Sequence, residues 1–263
     1  HLDSLRKRGW IDRPLHVVLL AVHALVPMGL CEIQGDTGAA IVFFAMFVVM
    51  SLAAGVKLRY FAILGGLVLL ALPLLWQFVM EDYQKLRFIA LFNLDDPNVQ
   101  MYDGYQQYQG RISIGSGKLT GQGLFHGSRV ADGIVPFQQS DYIFSVAGEE
   151  LGFVGCSLIL LLLFLFMLKA LHVAHSSRDD LGKYVCFGYF GIIALQSISN
   201  IGMCLAVLPA MGVTLPFFSA GGSSAVCMYL GFGLVQSVYM RRKESDGLRL
   251  KRRPLQRVFP AGR

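Results

Sequence analysis

Three carboxylates, Asp141, Glu149 and Glu150, stand in the stretch "QQSDYIFSVAGEELGFVG" (138–155), directly before the apolar run "CSLILLLLFLFML". A carboxylate in hydrocarbon is expensive, about 2.5–3.5 kcal/mol for an Asp at the centre of a helix on insertion scales. Each of the three must therefore sit at a membrane surface, line a polar cavity or take part in chemistry. Partial burial between water and an apolar phase raises a carboxylate's pKa toward the range in which it exchanges protons at neutral pH, and that suits a general base. Negative charge near a helix N-terminus has a simpler explanation, because the backbone dipole favours it by about 0.3–1 kcal/mol. Glu149 and Glu150, just ahead of an apolar run beginning at 151, are expected to start a helix. Asp141, farther out, has no such structural excuse.

The elements that must position these acids are read from hydropathy. The chain has 263 residues, 54% of them hydrophobic and only 15% charged, with a mean hydropathy of +0.54. A soluble domain carries about 25% charge. Runs near the ~20 apolar residues that cross a bilayer recur at 15–31, 39–56, 60–80, 151–168, 184–208 and roughly 225–240. None shows the period-2 alternation of a barrel strand, so all six are expected to be helices. The expected class is an all-α polytopic membrane protein. Its opening, "HLDSLRKRGWIDRP", has neither an initiator Met nor a small-residue cleavage site and reads as part of a longer chain.

The net charge of +6 does not point to nucleic acid, because nine of the 23 Lys and Arg follow Met240 in a basic tail, 241–263. With both ends cytoplasmic, 18 of the 23 cations fall inside, as the positive-inside bias requires. Lys85, Arg87, Arg111, Lys118 and Arg129 remain outside, in a long polar segment spanning 81–150. The tail reads as solvated, with contact to anionic lipid headgroups as its alternative.

Metal and nucleotide readings fail on spacing. The five cysteines lie in or beside apolar runs without a C-x-x-C pair, and His172 and His175 have no carboxylate partner motif, so no metal site is expected. Gly117-Lys118 is followed by Leu119 rather than Ser or Thr, and Ile112 stands where a phosphate-binding loop needs its first Gly. These glycines are expected to let a tight loop pack against the membrane face. A second irregular stretch, 208–226, holds Pro209, Pro216, Gly221 and Gly222, which rule out regular helix. Gln196, Ser197, Ser199 and Asn200 lie in the span before it, and helix-to-helix hydrogen bonding is their plainest explanation.

Taken together, "QSDYIFSVAGEELGFVG" and "NIGMCLAVLPAMGVTLPFFSAGGSSA" resemble the SEDS family, the RodA, FtsW and SpoVE proteins of bacterial growth, division and sporulation. "QGDTGAA" (34–40), "YQKLR" (83–87) and "GYQQYQGRISIGSGKLTGQGL" (104–124) follow the family order, and the resemblance covers nearly the whole chain. The departures are mild: "QGDTGAA" replaces a Pro-Asp-x-Gly-Thr-Ala pattern, and Ala220 takes a place often held by Tyr.

The resemblance implies a single membrane domain matching the last six of ten helices, with 81–150 as its large extracytoplasmic loop. It further implies a peptidoglycan glycosyltransferase in the bacterial cytoplasmic membrane. Such an enzyme polymerises lipid II, a disaccharide-pentapeptide on undecaprenyl diphosphate, beside a class B penicillin-binding protein. The matching position for the family's essential acid is Asp141, as base for the attacking sugar hydroxyl. Arg87 and Lys118 would then hold the leaving diphosphate, and Gln84 would hydrogen-bond substrate. A divalent cation could sit at the diphosphate, although no ligand cluster demands one. Two other classes fit a polytopic chain: a flippase or transporter for lipid-linked precursors, and a non-catalytic scaffold for the penicillin-binding protein. Six helices alone are expected to be inactive.

Overall fold

Where no water reaches the backbone, a segment must satisfy its own N–H and C=O groups, and every apolar run accordingly folds as helix. The computed structural model describes residues 1–102 and 104–251. Among these residues there is no strand. The helices are α1 (Leu2–Lys7), α2 (Pro14–Ile33), α3 (Thr37–Ala54), α4 (Leu58–Leu74), α5 (Asp82–Phe92), α6 (Pro97–Met101), α7 (Tyr105–Ser116), α8 (Ser128–Ala131), α9 (Ile143–Ser176), α10 (Asp180–Cys204) and α11 (Gly222–Lys251). Six spans are long and apolar enough to cross a membrane: α2, α3, α9, α10, the first part of α11, and α4 continued to Phe78. Pro73 lies inside α4, and a π turn, Leu75–Val79, follows it and ends that span. Of the basic tail expected at 241–263, residues 252–263 lie outside the described residues.

The segment 81–150 departs from the expected loop, because it holds α5 to α8 and the first turns of α9. Local chemistry explains two of these helices. Glu81 and Gln84 form a reciprocal capping box at the start of α5, and the Asp96 carboxylate accepts from Asn98 N–H at 2.9 Å to start α6.

α9 corrects the reading of Glu149 and Glu150. The helix begins at Ile143, not at 151, and it breaks at Gly152, whose φ of 65° and ψ of −166° suit glycine alone. The two acids therefore close the first segment of α9 rather than lead the second. Residues 117–123 enter the break and restore its hydrogen bonds. Gln122 and Gly123 N–H donate to the carbonyls of Glu149 and Glu150 at 2.9 and 3.0 Å. Phe153 and Val154 N–H donate to the carbonyls of Lys118 and Leu119 at 2.9 and 3.1 Å. The approach is so close that a Cβ on Gly121 would lie 2.1 Å from the Glu150 carbonyl oxygen. The glycines of this loop let it clasp a broken helix.

α10 is the most buried of the spans and organises the bundle. Tyr142, Phe144, Ile159, Leu163, Met203 and Leu215 join α9 to the end of α10 and the connection after it. Toward the other end, Val173, Tyr189, Ile193, Met228 and Val235 join α9, α10 and α11. Tyr189 buries its hydroxyl there by donating to the Met228 carbonyl at 2.6 Å. The first of these clusters packs the residues beside Asp141 against the end of α10.

Candidate functional site

Asp141 lies two residues ahead of α9, half-buried, on a short irregular segment. Three successive carbonyls hold that segment against the chain between 200 and 220. Ala220 N–H donates to Gln139 O at 2.8 Å, Ser219 Oγ to Ser140 O at 2.6 Å, and Asn200 Nδ2 to Asp141 O at 2.7 Å. Ser219 Oγ also accepts from Leu215 N–H at 2.7 Å. The irregular stretch after α10 is therefore tied down by these hydrogen bonds.

The Asp141 carboxylate faces Gly212, where a Cβ would stand 3.7 Å from Oδ2. Gly212 has a φ of 64°, so a side chain there would be strained as well as close to the acid. Burial raises the Asp141 pKa above its ordinary value. A hydrogen bond from Ser140 and the charge of Arg87 pull it back down, while the charge of Asp36 pushes it up.

Arg87 acts on this acid through its charge. Arg87 projects from α5, donates from Nη1 to the Ala210 carbonyl at 3.1 Å, and rests over the Tyr83 ring at 5.3 Å. Gln84, one turn earlier, is already engaged: its Oε1 accepts from Glu81 N–H at 3.1 Å and its Nε2 donates to Thr37 Oγ1 at 3.1 Å. Lys118 belongs elsewhere, because its backbone forms part of the clasp at Gly152 while its side chain is exposed. Glu149 is fully buried, and its Oε1 accepts from Arg129 N–H at 2.8 Å. It thereby fixes α8 to the end of the first α9 segment.

Asp36 is the acid that sequence reading passed over. It caps α3 by accepting from Ala39 N–H at 2.8 Å, and it lines a groove of about 450 Å³ between α3, α10 and α11. Gly212 lines the same groove, so Asp141 stands at its rim. Gln196, Thr214 and Ser224 give the groove a polar end, with the two hydroxyls 3.1 Å apart. Met46, Ile192 and Met228 give it an apolar end. Met46 lies ten residues along α3 from Asp36, or roughly 15 Å deeper at the helical rise. Among the described residues, one carboxylate and no cation line this groove. Among the described residues, no three His, Cys, Asp or Glu side chains group closely enough to hold a metal ion.

Fold and site together define a multi-pass, all-helical membrane protein with an acidic site at one end of its bundle. Comparison with known proteins gives the family. The model of the FtsW, RodA and SpoVE cell cycle proteins matches residues 5–244, and the chain belongs to that family. It is 34% identical over 218 residues to the peptidoglycan glycosyltransferase MrdB of Escherichia coli, covering 83% of this chain and 58% of that protein. It is 34% identical over 214 residues to the stage V sporulation protein E of Bacillus subtilis, covering 78% and 55%. Among solved structures it resembles a chain of a peptidoglycan synthase complex studied for its coordination of polymerization and crosslinking. That match has a TM-score of 0.73 at 27% identity and covers 92% of this chain and 66% of the other. The Thermus thermophilus rod shape determining protein RodA gives a TM-score of 0.58 at 28% identity, covering 88% and 58%. The chain thus spans a little over half the length of the curated relatives it matches.

Proposed function

We propose that the chain supplies the last six of ten helices in a peptidoglycan glycosyltransferase that polymerises lipid II at the outer face of the cytoplasmic membrane. The observation that carries this reading is Asp141, a half-buried acid of raised pKa at the rim of a groove that is polar at one end and apolar at the other. A lipid-linked sugar has the same two-part character. The polar end offers a carboxylate, hydroxyls and an amide without a cation, which suits sugar hydroxyls better than a diphosphate. The apolar depth suits a polyprenyl chain.

In the proposed reaction Asp141 takes the proton from the acceptor sugar's 4-hydroxyl as that oxygen bonds to the donor's anomeric carbon. The bond from this carbon to the diphosphate oxygen breaks, and the diphosphate leaves with the electron pair. A single displacement of this kind inverts the anomeric centre. Arg87, whose charge already acts on Asp141, supplies positive charge for the leaving group and has donors left after its bond to Ala210. Gln84 keeps one amide hydrogen for substrate after its bond to Thr37. A divalent cation at the diphosphate would be held chiefly by the substrate's own oxygens. A class B penicillin-binding protein is the proposed partner, on the strength of the likeness to a chain of a peptidoglycan synthase complex. The test is polymerisation of purified lipid II by the full-length protein with Asp141 intact or replaced.

Two further outcomes follow from this reading. In a cysteine-free background, Lys118→Cys should react with an impermeant maleimide added to the outer face of intact cells, and Lys183→Cys should not. Labelling of Lys183→Cys alone would reverse the proposed orientation. Residues 1–263, purified alone, should make little or no glycan, because the groove is built by only part of the proposed helices. Robust synthesis by the chain alone would overturn the six-of-ten assignment.

A further inference from the structure

Asn200 is completely buried near the end of α10. Its side-chain amide spends both hydrogens on irregular backbone, one on Asp141 O at 2.7 Å and one on Val213 O at 2.7 Å. Both acceptors are carbonyls with no helical partner, so the bonds do not tie one helix to another. They join the segment carrying the acid to the segment carrying Gly212, which faces the Asp141 carboxylate. Cys204, one turn along α10, also directs its Sγ to Asp141 O, at 3.7 Å, but a thiol is a weak donor. Asn200 therefore bridges the two segments directly with one side chain of fixed span. The neighbouring clamp, Ser219 on Ser140 O, works in the same direction one residue earlier.

We propose that Asn200 is a positioning residue for the glycosyl transfer, holding the Asp141 carboxylate in register with the groove by joining the carbonyls of Asp141 and Val213. This inference rests on the proposed role of Asp141 as base. A base displaced by as little as 1 Å loses rate on the order of 100-fold, because its proton no longer lies on the reacting oxygen's path. Substrate binding along the groove does not pass through these two carbonyls, so the loss belongs in kcat.

The experiment is steady-state lipid II polymerisation by the full-length protein carrying Asn200→Leu, which keeps the volume and removes both donors. Asp141→Asn and the double variant are assayed beside it, with the folded fraction measured by size-exclusion chromatography in detergent. Asn200→Leu should lower kcat about 10- to 100-fold with KM changed less than about twofold. In the Asp141→Asn background the same substitution should cost less than about twofold, because its effect passes through a base that is already gone. A purely structural role would lower the folded fraction and leave kcat per folded molecule unchanged in both backgrounds. Ser219→Ala, which removes only a hydroxyl, should give the same kcat-only loss at smaller size and decides the matter if Asn200→Leu does not fold. Wild-type kcat in the folded variants overturns the inference. A wild-type rate in Asp141→Asn overturns the assignment of the base instead, so the two failures are distinguishable.

Discussion

Replacing Asp141 by Asn in the full-length protein is expected to slow glycan polymerisation by about 10²–10⁴-fold, the usual loss when a positioned general base is removed. Asparagine keeps the size and still hydrogen-bonds, and the three carbonyl clamps on residues 139–141 are made by backbone that the substitution does not touch. Insertion and partner binding should therefore persist. The pH profile offers a second reading of the same site. The proposed base must be ionised, so the rate should fall as pH drops through the Asp141 pKa, and burial moves that acid limb to higher pH than an ordinary aspartate would give. Arg87 lowers this pKa and Asp36 raises it. Arg87→Gln should accordingly move the limb to higher pH and Asp36→Asn to lower pH, whatever either change does to the maximal rate. Limbs that shift in the opposite directions would contradict the electrostatics assigned to the site.

Gly152→Ala should be among the most damaging single methyl groups that can be added to this protein. The backbone at Gly152 occupies a region that costs other residues on the order of 1–3 kcal/mol. Space is short as well: the new Cβ would stand 2.3 Å from Gly121 N and 2.7 Å from Leu119 O, both backbone atoms that cannot swing aside. To admit it, the clasp must open, and the four hydrogen bonds that mend the α9 break go with it. Each is worth about 0.5–1.5 kcal/mol net, so with the backbone strain the loss should exceed about 3 kcal/mol. Gly65→Ala is the control, since Gly65 lies in α4 with nothing within 4 Å of its would-be Cβ. Thermal unfolding in detergent should show Gly152→Ala melting well below wild type or failing to accumulate, with Gly65→Ala at or slightly above wild type. Equal melting of the two variants would mean the clasp does not stabilise the fold.

Hydropathy alone located all six spans, because twenty apolar residues leave a segment no alternative to a helix across lipid. It could not locate α5 to α8, whose sequences are short and polar, although the Glu81 and Gln84 pairing is a capping box that could have been read. Asp141 was legible as an acid lacking a structural excuse, and "QGDTGAA" held a visible helix cap in Asp36 without showing that the cap faces a groove. Glu149 was misread for a physical reason. Its nearest helix start in sequence is the apolar run, whereas its partner in space is the backbone N–H of Arg129, brought back by a broken helix that only glycine permits. Asn200 was read as a helix-to-helix contact because its acceptors lie in irregular segments, 59 and 13 residues away, that no periodicity reveals.

The central claim is that this site polymerises a lipid-linked sugar, with Asp141 taking the proton. Purified full-length protein in vesicles containing lipid II tests it most directly, with glycan chain formation and lipid movement across the bilayer measured in the same sample. Wild-type protein should build glycan, and Asp141→Asn should build almost none while lipid movement stays the same in both. Lipid movement without glycan would make the protein a flippase, and glycan synthesis by Asp141→Asn at the wild-type rate would contradict the account.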